Sequence, residues 1–442
     1  MKKRVILTTL CIFVLFISIW SMVSCAPKQT KPQVPATTII QIQTPNQDGQ
    51  AGTQTSFNYE VLFEPIVEFQ GEAFPVKILS TATATTWWDG SPRMVNEEDH
   101  IGDLLGDFGV TVSLKGSSEE GIPIKVEIEG DRFIKKSSLD VVIPTNKEIE
   151  IFPRISYDYG ALEHLVQPAS DNVYFRLYYG SVKLIEKMEV VRFHSVNEVP
   201  LAEISRFDGK SVREHSELFA AYVNEDDPVI DKILKEALAI GVADKIGFEN
   251  SFAFSGYQIK DDEGDSSLSV YLQVLAVWSV FLQHNIKYSD ITTTSTGNEK
   301  ILTQYVRTLS ESFGNSQANC VDGSVLFASV LRKIGIDTFL VVVPGHMFVG
   351  YYIDENNEYF NFLETTMLGK TDISKYTDDN SFLGKLKSKT GIGNTRATAA
   401  RDSFLAATEA ANKEYEDVDD DDLTIINIAA ARASGIMPIV RY

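Results

Sequence analysis

Asn319-Cys320-Val321-Asp322-Gly323-Ser324-Val325-Leu326-Phe327-Ala328-Ser329-Val330-Leu331-Arg332-Lys333-Ile334-Gly335 is the stretch whose reading decides the fold. It reads as an apolar helix opened by Cys320 and closed by Lys333-Ile334-Gly335, where Gly335 suits a left-handed C-cap. The period then changes. Thr338 to Val343 is a β-rich run, Pro344-Gly345 turns the chain, and His346 to Ile353 and Tyr359 to Leu363 are two further strands. The turn-rich Asp354-Glu355-Asn356-Asn357-Glu358 joins the last two into a hairpin. With that turn centred between residues 355 and 356, paired positions sum to about 710 to 712, which sets His346 directly or diagonally across from Glu364 on one face.

This pattern supplies a thiol at a helix N-terminus, an imidazole at the start of one strand and a carboxylate at the end of the next. A thiolate, not a thiol, attacks an acyl carbon, and a helix N-terminus with a nearby imidazolium favours it. The histidine moves the proton, and the carboxylate fixes its tautomer and orientation. Cys320, His346 and Glu364 are therefore the candidate catalytic residues. The backbone N–H of Cys320, with Gln317 as a side-chain donor three residues earlier, could form an oxyanion hole. Asp322 suits the first helical turn, where the helix dipole favours a negative charge, better than it suits the acid role. No His or Cys pair stands at metal-ligand spacing, so neither a metal nor a cofactor is expected.

Asn319-Cys320-Val321-Asp322-Gly323-Ser324, the helix end Leu331-Arg332-Lys333-Ile334-Gly335-Ile336, Gly345-His346-Met347-Phe348 and Phe362-Leu363-Glu364-Thr365-Thr366 together resemble the core of the transglutaminase-like superfamily. The resemblance covers about Tyr305 to Gly369. It implies a papain-like fold with a Cys, His, Asp triad in this chain order, so that Cys320 matches the nucleophile, His346 the base and Glu364 the orienting acid. Two positions depart from that pattern. Glu364 stands where Asp is usual, and Phe348 stands where Trp commonly follows the histidine by two residues. Bacterial members of the superfamily are widely thought to include proteases, which favours peptide hydrolysis over transfer to an amine.

Before this core, Lys2, Lys3 and Arg4 precede the charge-free, mostly apolar run Val5 to Ser24, and Cys25 follows the small residue Ser24. This resembles a bacterial lipoprotein signal peptide over 1–24 with Cys25 as the lipidated residue, in preference to an uncleaved membrane anchor. The expected place is the cell envelope, outside the cytoplasm and tied to a membrane through the lipid on Cys25. Cys11 leaves with the signal, so Cys320 is the only other cysteine and has no disulfide partner. The formal charge is −21, and losing the three basic residues Lys2, Lys3 and Arg4 takes it to −24. A chain so acidic lacks the basic footprint that nucleic acid requires.

Residues 25–56 are rich in Pro, Gln, Thr and Gly and read as a flexible tether. Residues 57–199 carry short alternating runs broken by turn signals, the spacing of an Ig-like β-sandwich. From 200 the pattern turns helical, with Pro228 to Ile240, Ser267 to Asn285 and Tyr305 to Phe313 as helices. The transglutaminase-like domain is set at 200–395 and a helical C-terminal extension at 396–442, including Ala399 to Tyr415 and a short helix from Ile425 to Ala433. The acidic run from Asp417 to Asp422 lacks the Gly and Glu of a calcium loop and reads as a solvated turn. The fold class expected is α+β. The expected function is thiol-dependent acyl chemistry on amide bonds, by hydrolysis or transfer, with a polypeptide or other amide as substrate. A non-catalytic surface protein that binds a polypeptide or envelope polymer is the rival reading.

Overall fold

The computed structural model describes residues 38–43, 56–86, 90–116, 121–206, 208–244, 246, 252–260, 264–289, 298–368, 370 and 395–439. The expected signal segment 1–24, Cys25 and most of the expected tether lie outside the described residues. The chain is mixed α+β, with 33% helix and 35% strand, so neither class of element alone supplies the core.

The first unit is built from two sheets. One runs, in spatial order, Thr38–Gln43, Ser56–Val67, Phe108–Lys115, Glu148–Phe152, His100–Asp103 and Met94–Asn96. The other runs Glu72–Ala73, Val182–Phe193, Ala169–Tyr179, Ile122–Gly130 and Ser137–Ile143. Alternation decides which side chains meet. Val61, Phe63, Val110, Val112 and Leu114 of the first sheet share one apolar core with Val126, Ile128, Val173, Phe175 and Val191 of the second. The strand Thr38–Gln43 corrects the tether expectation. It pairs antiparallel with Ser56–Val67, with Thr38 opposite Val61 and Gln43 opposite Ser56. The β-branched Thr38, Ile39, Ile40 and Ile42 favour extended backbone although the surrounding composition is that of a linker.

The second unit packs helices Pro228–Ala243, Ser267–Gln283, Cys320–Lys333 and Thr395–Asp417 with an antiparallel sheet ordered Phe360–Leu363, His346–Tyr352, Thr338–Val343 and Thr424–Asn427. Ser267–Gln283 is buried along almost its whole length, and its Trp278 lies between Phe327 and Phe404. Its apolar residues run all round because it is the central core helix. Among the described residues no helix is long and apolar enough to cross a membrane.

Two segments read as helices differ from expectation. The segment read as one helix over Tyr305 to Phe313 is the end of the strand Ile301–Tyr305 followed by the helix Leu309–Gly314, which Thr308 and Glu311 start with a capping box. The segment read as a helix over Ile425 to Ala433 is the strand Thr424–Asn427 and then the helix Ile428–Ala433, capped by the Asn427 side chain. The C-terminal residues are therefore no appendage. Ile425 and Ile426 pair with Val341 and Leu340, and Phe404 and Leu405 belong to the same core as Val325 and Leu326.

Gly350, in the strand that begins with His346, shows how tightly this sheet packs. A Cβ there would stand 2.2 Å from two atoms of the Phe339 ring, which is itself buried. Gly350→Ala should therefore lower the unfolding free energy by about 1–3 kcal/mol through overpacking. Urea titration checks this, and an unchanged midpoint would show that the ring yields.

Candidate active site

Local sequence fixes where the thiol sits. Asn319 caps the Cys320–Lys333 helix by accepting the Asp322 N–H at 2.8 Å, and the Asp322 carboxylate accepts the Asn319 N–H at 3.1 Å. Asp322 is fully buried and also accepts from the backbone N–H of Arg307 at 2.8 Å and from its guanidinium. It serves the first turn, as its position two residues after Cys320 suggests. Cys320 is thus presented where the first helical N–H groups lack intrahelical acceptors. The helix cannot drift from the neighbouring turn. A Cβ on Gly323 would stand 2.5 Å from Thr365 Oγ1, and the Ser324 hydroxyl donates to the Cys320 carbonyl at 2.7 Å.

The hairpin supplies the other two residues. Gly345, at φ +73°, takes the left-handed turn that Pro344-Gly345 indicates, and His346 opens the strand opposite Val343. Val349 pairs with Leu363 and Gly350 with Phe362, so the register sums to 712, within the range expected. On that register Glu364 falls diagonally from His346, and the longer carboxylate spans the offset. His346 Nε2 donates to Glu364 Oε2 at 2.6 Å. The other oxygen, Oε1, accepts the Thr366 N–H at 2.8 Å and the Thr366 hydroxyl at 2.5 Å, while the Glu364 N–H donates to the Ala407 carbonyl at 3.1 Å. With Nε2 committed, Nδ1 is the ring nitrogen left to serve Cys320, whose side chain helps to raise the imidazole pKa. Cys320 and Glu364 therefore both act on the His346 ring, Glu364 through a hydrogen bond.

Burial alone would pull the His346 imidazole down, but its hydrogen bonds to Cys320 and Glu364, and then their charges, outweigh it and push the pKa up to about 10. Burial pushes Glu364 up, and its bond to the imidazole more than reverses this, so its pKa is lowered. The imidazole is therefore held protonated through neutral pH. A raised histidine stabilises the fold fully below its ordinary 6.5 and loses that contribution as pH rises through about 10. A lowered carboxyl contributes above its ordinary 4.5 and loses it as pH falls below. The pair contributes most between those two ordinary values. On going from pH 6 to pH 9.5 the wild-type urea midpoint should fall more than that of Glu364→Gln. Equal slopes would exclude the coupling.

Gln317 is placed differently from the triad. It lies on the short strand Gln317–Ala318, opposite Lys287, exposed and with no side-chain hydrogen bond among the described residues. No side-chain hydrogen bond among the described residues joins it to Cys320, so an oxyanion role would require a bound substrate to draw it in.

One neighbour was not anticipated. Glu414, from the Thr395–Asp417 helix, brings a carboxylate whose ligand atom lies with those of His346 and Glu364 inside a 4.8 Å group. Burial raises its pKa, with the charge of His346 opposing. Among the described residues this is the only group of His, Cys, Asp and Glu spaced to close on a metal ion, and two of its three members are already bonded to each other. Nothing local marks Glu414, which sits in an Ala- and Glu-rich helix like its neighbours.

No family model matches the chain, and no curated protein is significantly similar to it.

Proposed function

We propose that the second unit is a transglutaminase-like, papain-like domain that performs thiol-dependent acyl chemistry on amide bonds, with Cys320 as nucleophile, His346 as the proton-transfer group and Glu364 as its orienting acid. The observation that carries this reading is the His346–Glu364 hydrogen bond at 2.6 Å, together with the influence of the Cys320 side chain on the imidazole that helps to hold the ring protonated. The protonated imidazole refines the roles suggested by sequence. On this reading His346 rests as an acid beside the sulfur instead of waiting as a base.

The steps follow from that charge state. The Cys320 sulfur attacks the amide carbon, and the carbonyl oxygen takes the negative charge near the N-terminal N–H groups of the helix. His346 gives its proton to the departing nitrogen, the C–N bond breaks, and a thioester remains. The now neutral imidazole takes a proton from water, which attacks the thioester and releases an acid and the thiolate. An amine in place of water would give transfer. Peptide hydrolysis is the favoured outcome, on the resemblance noted above.

The rest of the proposal concerns setting. The two-sheet unit is read as an Ig-like sandwich, and the chain as a lipoprotein held in the cell envelope through Cys25, with a polypeptide or other amide as its partner. Mass spectrometry of full-length protein incubated with a peptide library tests the chemistry. A thioester adduct on Cys320, absent in Cys320→Ser, is expected; binding without adduct or cleavage would favour the non-catalytic alternative.

A further inference from the structure

A cavity of about 390 Å³ opens between the two units, and none of its walls comes from the Cys320 site. Its size falls in the range of roughly 300–1,000 Å³ that small-molecule sites occupy. Phe69 and Phe152 supply aromatic surface. His100 stacks on Phe152 with ring centroids 5.1 Å apart, and His215 lies 4.9 Å from Phe69.

The charges in this cavity are not balanced. Arg206 donates to Glu68 at 2.8 Å and to both oxygens of Glu150 at 3.0 and 2.9 Å. Arg213 donates to Glu68 at 3.1 Å and stands 3.5 Å from Glu203. Lys77 is ion-paired with Asp107. Every cation on the wall is thus committed to a carboxylate, and an anionic guest would have to break those pairs. Glu217 also lines the cavity, and its carboxylate has a hydrogen bond from its own backbone N–H but no ion pair or bond to another described residue. Burial pushes its pKa up, against the opposing charge of His215. His100 Nε2 is buried and likewise has no hydrogen-bond partner among the described residues. The buried His100 Nε2 left open in a cavity calls for a complement, and the half-buried Glu217 carboxylate supplies a charge beside it.

We infer that this cavity binds a small organic cation, an amine or guanidinium on a short apolar body, with its charge on Glu217 and its body against Phe69 and Phe152. Aromatic faces attract such a cation, a carboxylate in a partly dry site bonds it strongly, and a polar atom of the guest completes His100. This site does not depend on the Cys320 chemistry.

Agmatine and putrescine, titrated calorimetrically into the full-length protein, test the inference, with succinate and 1-pentanol as controls. Saturable one-to-one binding of agmatine or putrescine is expected, unchanged in Cys320→Ala and weakened by about tenfold or more in Glu217→Gln, the loss of a charge-assisted bond. Phe152→Leu should weaken it less. Failure of both amines to bind, equal affinity in Glu217→Gln, or binding of succinate instead would overturn it. So would a lower unfolding temperature for unliganded Glu217→Gln, because that would reveal a structural partner for the carboxylate.

Discussion

His346→Ala should slow alkylation of Cys320 by iodoacetamide at pH 6 by roughly 100-fold, with the protein still folded. The magnitude follows from the reference state: a free thiol with a pKa of about 8.5 is only about 0.3% thiolate at pH 6. Its reactivity there is correspondingly small. In the wild type the imidazole is held protonated up to about 10 beside the Cys320 side chain, and the proposed mechanism makes a thiolate its partner. Removing the ring removes that charge and leaves the helix N-terminus as the main remaining support. Glu364→Gln should have a smaller effect, because the imidazole keeps its place but loses the carboxylate that helps to hold its proton. The comparison is made by mass spectrometry over pH 5 to 9. A wild-type rate that follows the ordinary thiol curve, with no change in His346→Ala, would refute the ion pair.

Asp322→Ala should destabilise the protein by about 3–5 kcal/mol, the cost expected when one member of a buried ion pair is removed. Asp322 is fully buried, and Arg307 is 14% exposed on its side chain, so solvent screens the pair little. The loss goes beyond the charge pair. Asp322 also accepts the N–H groups of Asn319 and Arg307, and these would be left unsatisfied at the start of the Cys320 helix. Asp322→Asn should cost less, since its amide oxygen still offers an acceptor to one of them. Urea unfolding monitored by tryptophan fluorescence measures both, and Trp278 in the same core makes the signal local. If Asp322→Ala unfolds at the wild-type midpoint, the carboxylate does not anchor the helix.

What sequence could show and what it could not differ for physical reasons. The hairpin from His346 to Leu363 was legible because two β-rich runs are separated by a turn-rich segment, and period-2 geometry converts that into a register. Cys320, His346 and Glu364 are tied together by this register and by one helix start, so their meeting could be anticipated. Asp322 could be placed in the first turn, but its bond to Arg307 is tertiary and has no local signature. Glu414 is further from view, since it reaches the site only through the packing of the Thr395–Asp417 helix on the hairpin. Ile425 and Ile426 are ambiguous by composition: a short apolar run reads equally as strand or helix, and the free edge of Thr338–Val343 decides for strand. Thr38–Gln43 failed in the opposite sense, because a window average over a Pro- and Gln-rich stretch hides six residues of extended propensity.

The strand Thr424–Asn427 and the Ala407 carbonyl have a consequence for the order of events during synthesis. The ribosome delivers Cys320, His346 and Glu364 before the strand that closes the sheet edge and before the helix whose carbonyl holds the Glu364 backbone. On the proposed reading, a nascent chain therefore carries its thiol without the full scaffold around it. If Cys320 is the nucleophile proposed above, competence would arise only after the final strand docks, a delay between making the thiol and arming it.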